Sequence, residues 1–274
     1  MIPAELAYER ADSVEHAIAL LGEHGDEAKV LAGGHSLVPL LRLRFARPSL
    51  LVDIGRIREL AGVSEEGGGL AIGPTTRYAD LESSALVAER APLLAAAAGE
   101  VGDPQVRHRG TVGGALAHGD PASDVAAALL ALGATVALRG AGGERRLPLS
   151  DLFLGFLETA IAPDELLVGI SVPPSAAPAE FAFEKFNRRA QDWAIVGCAV
   201  SGGPVPRVAL VNMGTTPLRA LAVEEALAGG ASARDAAELA ARGAEPPEDL
   251  NGTAEYRRHL ARVLVRRALE RALP

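Results

Sequence analysis

Two glycine-centred segments hold the residue types that would be needed to grip a phosphate. Ala32-Gly33-Gly34-His35-Ser36-Leu37 follows a short apolar run, and Gly110-Thr111-Val112-Gly113-Gly114 precedes Asp120-Pro121-Ala122-Ser123-Asp124. Adjacent glycines let backbone amides turn inward as a concave set of donors to an anion. Such turns are expected to place Gly33 and Gly113 at positive φ. One Gly-Gly pair beside a strand is ordinarily a plain turn, and the chain has six such sites. Here, however, two turns carry adjoining hydroxyls, Ser36 and Thr111, which suits a clamp on a diphosphate. Neither G-x-G-x-x-G nor G-x-x-x-x-G-K-[ST] occurs, which disfavours a Rossmann dinucleotide site and a P-loop.

Other reactive side chains offer less. Asp124 opens an apolar helix, where it suits either a ribose hydroxyl or helix capping. His35 and His108 have no partner carboxylate or nucleophile at a recognisable spacing and read as turn histidines. Cys198 sits in the apolar run Ala194–Val200, where an inert buried thiol is expected. As the only cysteine, it excludes an intrachain disulfide, a multi-cysteine zinc site and four-thiolate ligation of an iron-sulfur cluster.

The elements that must position these groups follow from pattern. Residues 12–24 read as a helix capped by Asp12, with Val14, Ala17, Ile18 and Leu21 on one face. Residues 29–32, 50–54, 70–72, 135–138 and 166–172 read as strands, and 80–98 as an alanine-rich helical region interrupted by Pro92. Pro173 to Pro178 is the best linker candidate. Beyond it, 181–186, 194–201 and 205–213 read as three antiparallel strands, with Gly202-Gly203 as a hairpin turn. Residues 218–228, 231–242 and 253–273 then read as helices, the last with Tyr256, Leu260, Leu264 and Ala268 on one side and arginines opposite.

At 274 residues the chain exceeds one usual core, so one large or two modest domains are expected. Apolar residues make up 49%, charged residues 23%, and the formal net charge is -8. A disordered chain is thereby excluded, and with no basic stripe interleaved with aromatics so is a nucleic-acid partner. No apolar run approaches the roughly eighteen residues of a transmembrane span, and the acidic N-terminus is unlike a signal peptide, so a cytoplasmic chain is expected.

Together the paired motifs resemble the FAD-binding medium subunit of molybdenum hydroxylases. That family includes the flavoprotein subunit of aerobic carbon monoxide dehydrogenase and the FAD domain of xanthine dehydrogenase. The resemblance covers nearly the whole chain and implies an α+β fold. It predicts a two-lobed FAD-binding domain of the PCMH / vanillyl-alcohol-oxidase-like type over 1–176, with lobes of about 1–57 and 58–176. A β3α3 C-terminal domain over 177–274 would follow. FAD pyrophosphate would lie between Ala32, Gly33, Gly34, His35, Ser36 and Leu37 on one lobe and Thr111, Gly113 and Gly114 on the other, with Asp124 on the ribitol or ribose side. Leu167, in Asp164-Glu165-Leu166-Leu167, would contact the cofactor, and Lys185 would lie near the flavin, followed by Arg188, Arg189, Asp192 and Trp193. Apart from the resemblance, Lys185 reads as a solvated strand-edge charge, and Trp193 suits core packing as well as a flavin face.

The implied function is electron transfer within an oxidoreductase. An iron-sulfur subunit would supply electrons from a molybdenum-cofactor subunit, and FAD would pass them to an external acceptor. Two alternatives are a stand-alone FAD-dependent reductase of the same fold and a flavin-free scaffold protein.

Overall fold

The computed structural model describes residues 2–175, 178 and 180–273; Ala176 and Ala177 of the expected linker, with the domain boundary expected there, lie outside the described residues. The first sheet is wholly parallel, with Leu50–Asp53 between Ala7–Arg10 and Ala28–Leu31. Parallel neighbours need crossovers, and the helix Val14–His24 supplies one. Its Val14, Ala17, Ile18 and Leu21 are buried as their spacing requires, but Ser13 is the cap, accepting from the His16 N–H at 3.1 Å. Asp12 instead offers its own N–H to His16 Nδ1.

The second sheet is antiparallel, in the order Val63–Glu66, Gly69–Ile72, Leu166–Val172, Thr135–Gly140, Gly143–Pro148. The alanine-rich region divides into Tyr78–Ser83, Ala85–Arg90 and Pro92–Gly99. Ser84 caps the middle helix, and Pro92 takes the first turn of the last, where its missing N–H has no cost. The helix Asp124–Ala131 is buried at every residue. A helix apolar on all sides must be enclosed, and this one is covered by the second sheet's helices and by a third sheet.

That third sheet has four antiparallel strands where three were expected: Phe181–Phe186, Val196–Ser201, Arg207–Val211 and Leu218–Arg219. Leu218 and Arg219 had the periodicity of a helix start, but they fill the free edge of Arg207–Val211, so the helix begins only at Leu221. Likewise the helix expected over 231–242 is Ala233–Ala237, after which bonds such as Leu239 N–H to the Ala236 carbonyl tighten the chain into turns. One face of the sheet packs Cys198, Val200, Val208 and Leu210 against Leu221–Ala228 and the long helix Ala254–Ala272. Ala199, Ala209 and Val211 join the core around Asp124–Ala131. Arg257 departs from the expected arginine face: it shares the buried side with Leu260 and Leu264, and its guanidinium donates to the Ile195 carbonyl and to Asp249 Oδ1. No helix among the described residues is long and apolar enough to cross a membrane.

Candidate cofactor site

The first turn leaves the parallel sheet at the carboxyl end of Ala28–Leu31 and leads into the helix Leu37–Leu43. Only Gly34 has positive φ, at 80°; Gly33 does not, which corrects the sequence expectation. Among the described residues, the main-chain N–H groups of Gly33, Gly34, His35 and Ser36 have no protein acceptor. A main-chain donor without a protein acceptor is directed to water or to a ligand. A Cβ on Gly33 would overlap the carbonyl oxygen of Arg109 and come within 3.1 Å of Gly110 Cα. The first turn therefore lies directly on the peptide ahead of Thr111, and the two motifs meet.

Two residues that sequence reasoning missed also reach this crease. Arg77 Nη1 donates to that same Arg109 carbonyl. Burial, and then the charge of Arg109, hold the Arg77 guanidinium below its usual range. A guanidinium held on the carbonyl that Gly33 abuts, beside a row of unbonded amides, complements a diphosphate. The signal available in the sequence was Arg109 standing directly before Gly110.

The second motif is built differently. Thr111 caps the helix Val112–His118, so Gly113 and Gly114 lie in its first helical turn, and Gly113 has no positive φ. Its amides are taken: Val112 N–H by the Thr76 carbonyl at 3.0 Å, Gly113 N–H by the Pro74 carbonyl at 2.8 Å, and Gly114 N–H by Thr111 Oγ1 at 3.2 Å. A Cβ on Gly113 would stand 2.6 Å from the Pro74 oxygen. Glycine there permits close packing of the helix on the preceding segment. Among the described residues, unbonded amides remain at the first turn and not at the second.

Asp124 does not cap its helix; Ser123 does, accepting from the Ala126 N–H at 3.3 Å. The Asp124 carboxylate instead meets Lys185 from the third sheet, Oδ2 to Nζ at 2.7 Å, and Lys185 also donates to the Glu100 carbonyl at 2.7 Å. The side chains are 5% and 3% exposed. Lys185 is thus not the solvated edge charge that its neighbours suggested; its edge strand turns it inward, onto the helices. Asp124 Oδ1 is buried and has no partner among the described residues. Burial, opposed by the Lys185 charge, pushes this carboxyl up to about 6.

A titration follows from that value. The folded carboxyl protonates before the unfolded one, whose value is 3.8. Stability owed to Asp124 is therefore highest in acid and falls as pH rises from 3.8 to about 6. Urea melts of the parent chain should lose ground to Asp124→Asn across that window and run parallel to it above. A difference that stays flat across the whole window would mean that Asp124 is not held in this environment.

The remaining residues are dispersed. Leu167 is core, opposite Leu138 in the second sheet. Trp193 is 74% exposed, which rules out core packing. It lines a cavity of about 240 Å³ with Asp120, Asn212, Asp249 and Arg257. Arg189 pairs with Asp192 at the surface, and His108 Nδ1 lies 2.7 Å from the Pro104 carbonyl. His35 is exposed, whereas Cys198 is buried and its thiol is pushed up by desolvation, as an inert residue would be.

A row of unbonded amides, the Arg77 guanidinium and an orphaned buried carboxylate oxygen fit a dinucleotide that carries a diphosphate and hydroxyls. A model for the FAD binding domain in molybdopterin dehydrogenase matches residues 4–175, and one for the CO dehydrogenase flavoprotein C-terminal domain matches 181–272. The chain belongs to this flavoprotein family. It is 45% identical to the carbon monoxide dehydrogenase medium chain of Hydrogenophaga pseudoflava, over 99% of this chain and 98% of that one. It is 40% identical to the 6-hydroxypseudooxynicotine dehydrogenase complex subunit alpha of Paenarthrobacter nicotinovorans, over 100% and 96%. Among solved structures, carbon monoxide dehydrogenase from Hydrogenophaga pseudoflava lacking the Mo-pyranopterin moiety superposes with a TM-score of 0.94 at 46% identity, covering 99% and 98% of the two chains. The chain is an FAD-binding oxidoreductase subunit, with the α+β fold that the motifs implied.

Proposed function

We propose that this chain is the electron-transferring flavoprotein of a molybdenum-dependent hydroxylase, taking electrons from an iron-sulfur subunit and passing them to an external acceptor. The observation that carries the reading is the crease where Gly33 abuts the Arg109 carbonyl, the unbonded amides of the first turn lying beside the Arg77 guanidinium. Bound FAD supplies the ability to exchange electrons singly or in pairs. The chain's own residues hold and tune it. The amides from Gly33 to Ser36, with Arg77 and Arg109, neutralise the diphosphate; Ala32 and Leu37 flank that turn, and Thr111, Gly113 and Gly114 form the opposite wall. Asp124 Oδ1 accepts from a cofactor hydroxyl, and Trp193 covers the flavin, with Leu167 supporting the site from the core.

Lys185 acts through Asp124. Its ammonium is already balanced by that carboxylate, so it raises the local potential less than a free lysine at the flavin would. The division into 1–176, with lobes of about 1–57 and 58–176, and 177–274 belongs to the same reading and is supported by the matched ranges. A single cysteine leaves the clusters to a second chain. The named substrates of the two relatives differ, so the choice of substrate belongs to another subunit. With no membrane-crossing helix among the described residues, a cytoplasmic site of action is the natural one.

Co-expression with its neighbours and gel filtration tests the proposal. The chain should elute with iron-sulfur and molybdenum-cofactor subunits. Elution as a lone flavoprotein that turns over its own substrate would establish the stand-alone reductase instead, and a folded chain without flavin absorbance would establish the scaffold.

A further inference from the structure

We propose that Asn212 is the positioning residue that fixes the Trp193 segment against the Asp120–Asp124 motif. It follows the strand Arg207–Val211 and has φ of 59°, a left-handed conformation that side chains rarely adopt. There its main-chain N–H donates to the Pro121 carbonyl at 2.8 Å, reaching from the third sheet into the second glycine motif's acidic segment. Its side-chain Nδ2 donates to the Ala194 carbonyl at 2.9 Å, one peptide from Trp193. The orientation of the amide follows from chemistry, since a carbonyl can only accept.

Glycine would serve a left-handed corner without strain. What asparagine adds is the hold on Ala194. The N–H of that same peptide, from Ile195, donates to the Phe186 carbonyl at 2.7 Å, and the Ile195 carbonyl is held by Arg257. Trp193, by contrast, is exposed at the mouth of the cavity that Asp120, Asn212 and Arg257 share. Asn212 thus ties the Ala194 carbonyl, on the far side of the indole from the Asn187 contact to the Asp192 carbonyl, to the body of the protein and, through its own main chain, to the cofactor motif. The functional meaning rests on the reading that Trp193 covers the flavin.

The chain has a single tryptophan, so its emission reports this segment alone. Asn212→Gly keeps the corner's φ and removes only the amide; Asn212→Asp keeps the shape and replaces the donor by an acceptor. In the FAD-loaded full chain, each should lower the ratio of held to released Trp193 segment by about fivefold, the weight of one neutral hydrogen bond. This would be seen as lower Trp193 anisotropy and weaker quenching by the flavin, with FAD per chain unchanged. A merely structural role would lower the melting temperature without moving the indole. If anisotropy in both variants matches the parent chain, the proposal is wrong. If the parent's emission is indifferent to FAD, the placement of Trp193 at the flavin fails, while the anisotropy still decides the role of Asn212.

Discussion

Gly33→Ala should strip FAD from the folded chain. The backbone at 33 has no positive φ, so alanine meets no conformational objection there. The obstacle is the Arg109 carbonyl oxygen, which a Cβ would overlap. That oxygen belongs to main chain and is already held by Arg77, so it cannot swing aside as a side chain would. The first lobe must back away and open the crease. Overpacking of this kind costs about 1–3 kcal/mol, which is roughly five- to 150-fold in FAD affinity if it falls on the bound state. Gly33→Val should do more.

Gly202 is a poor control, because a Cβ there would stand 2.6 Å from Glu180 Cβ and 2.7 Å from the Glu180 carbonyl oxygen. Gly22 is a better one. It lies in the helix Val14–His24 with nothing within 4 Å of a built Cβ, so Gly22→Ala should stabilise by about 0.5–1 kcal/mol and leave FAD untouched. The measurement is flavin absorbance per folded chain after gel filtration, with circular dichroism confirming the fold. Full FAD in both Gly33 variants would mean that the first turn is not the diphosphate cradle.

What the sequence made legible was the part whose physics is local. Leu166–Val172 and the buried face of the helix Val14–His24 follow from apolar spacing, and the Ala32–Leu37 turn from adjacent glycines. Three strands outside the expected set, Ala7–Arg10, Val63–Glu66 and Gly143–Pro148, are almost entirely solvent-facing and have no apolar alternation to betray them. They are ordered by partners distant in sequence. The same holds at the site. Nothing near Arg257 in sequence shows that it is buried, because Ile195 and Asp249 receive it from elsewhere. Gly113 resembles a turn glycine, and only Pro74, far upstream, explains it as a packing glycine. Arg77 comes to the crease because Thr76 and Pro74 pair with the start of the helix Val112–His118.

Lys185→Met should be the most destabilising single change at the site, and its pairing with Asp124→Leu separates scaffold from cofactor chemistry. Removing the ammonium leaves a carboxylate that is 5% exposed without its counter-charge. Breaking a buried pair from one side costs about 3–5 kcal/mol, limited here by how readily Asp124 takes up a proton instead. Its value is already raised to about 6, so at neutral pH that escape is near at hand and the loss should sit toward the lower end. Replacing both partners by apolar residues of similar size is often neutral, so Lys185→Met/Asp124→Leu should recover most of the lost stability. It will not recover FAD. Asp124 Oδ1 is the buried acceptor left over once Lys185 and Glu100 are satisfied, and a hydrogen bond to a charged group is worth about 1.5–3 kcal/mol, or roughly ten- to hundredfold in affinity. Chemical melts of the two variants and titration of each with FAD give both quantities. A double variant that is stable and binds FAD as the parent does would make the pair a strut between the sheet and the helix, and Asp124 would leave the cofactor site.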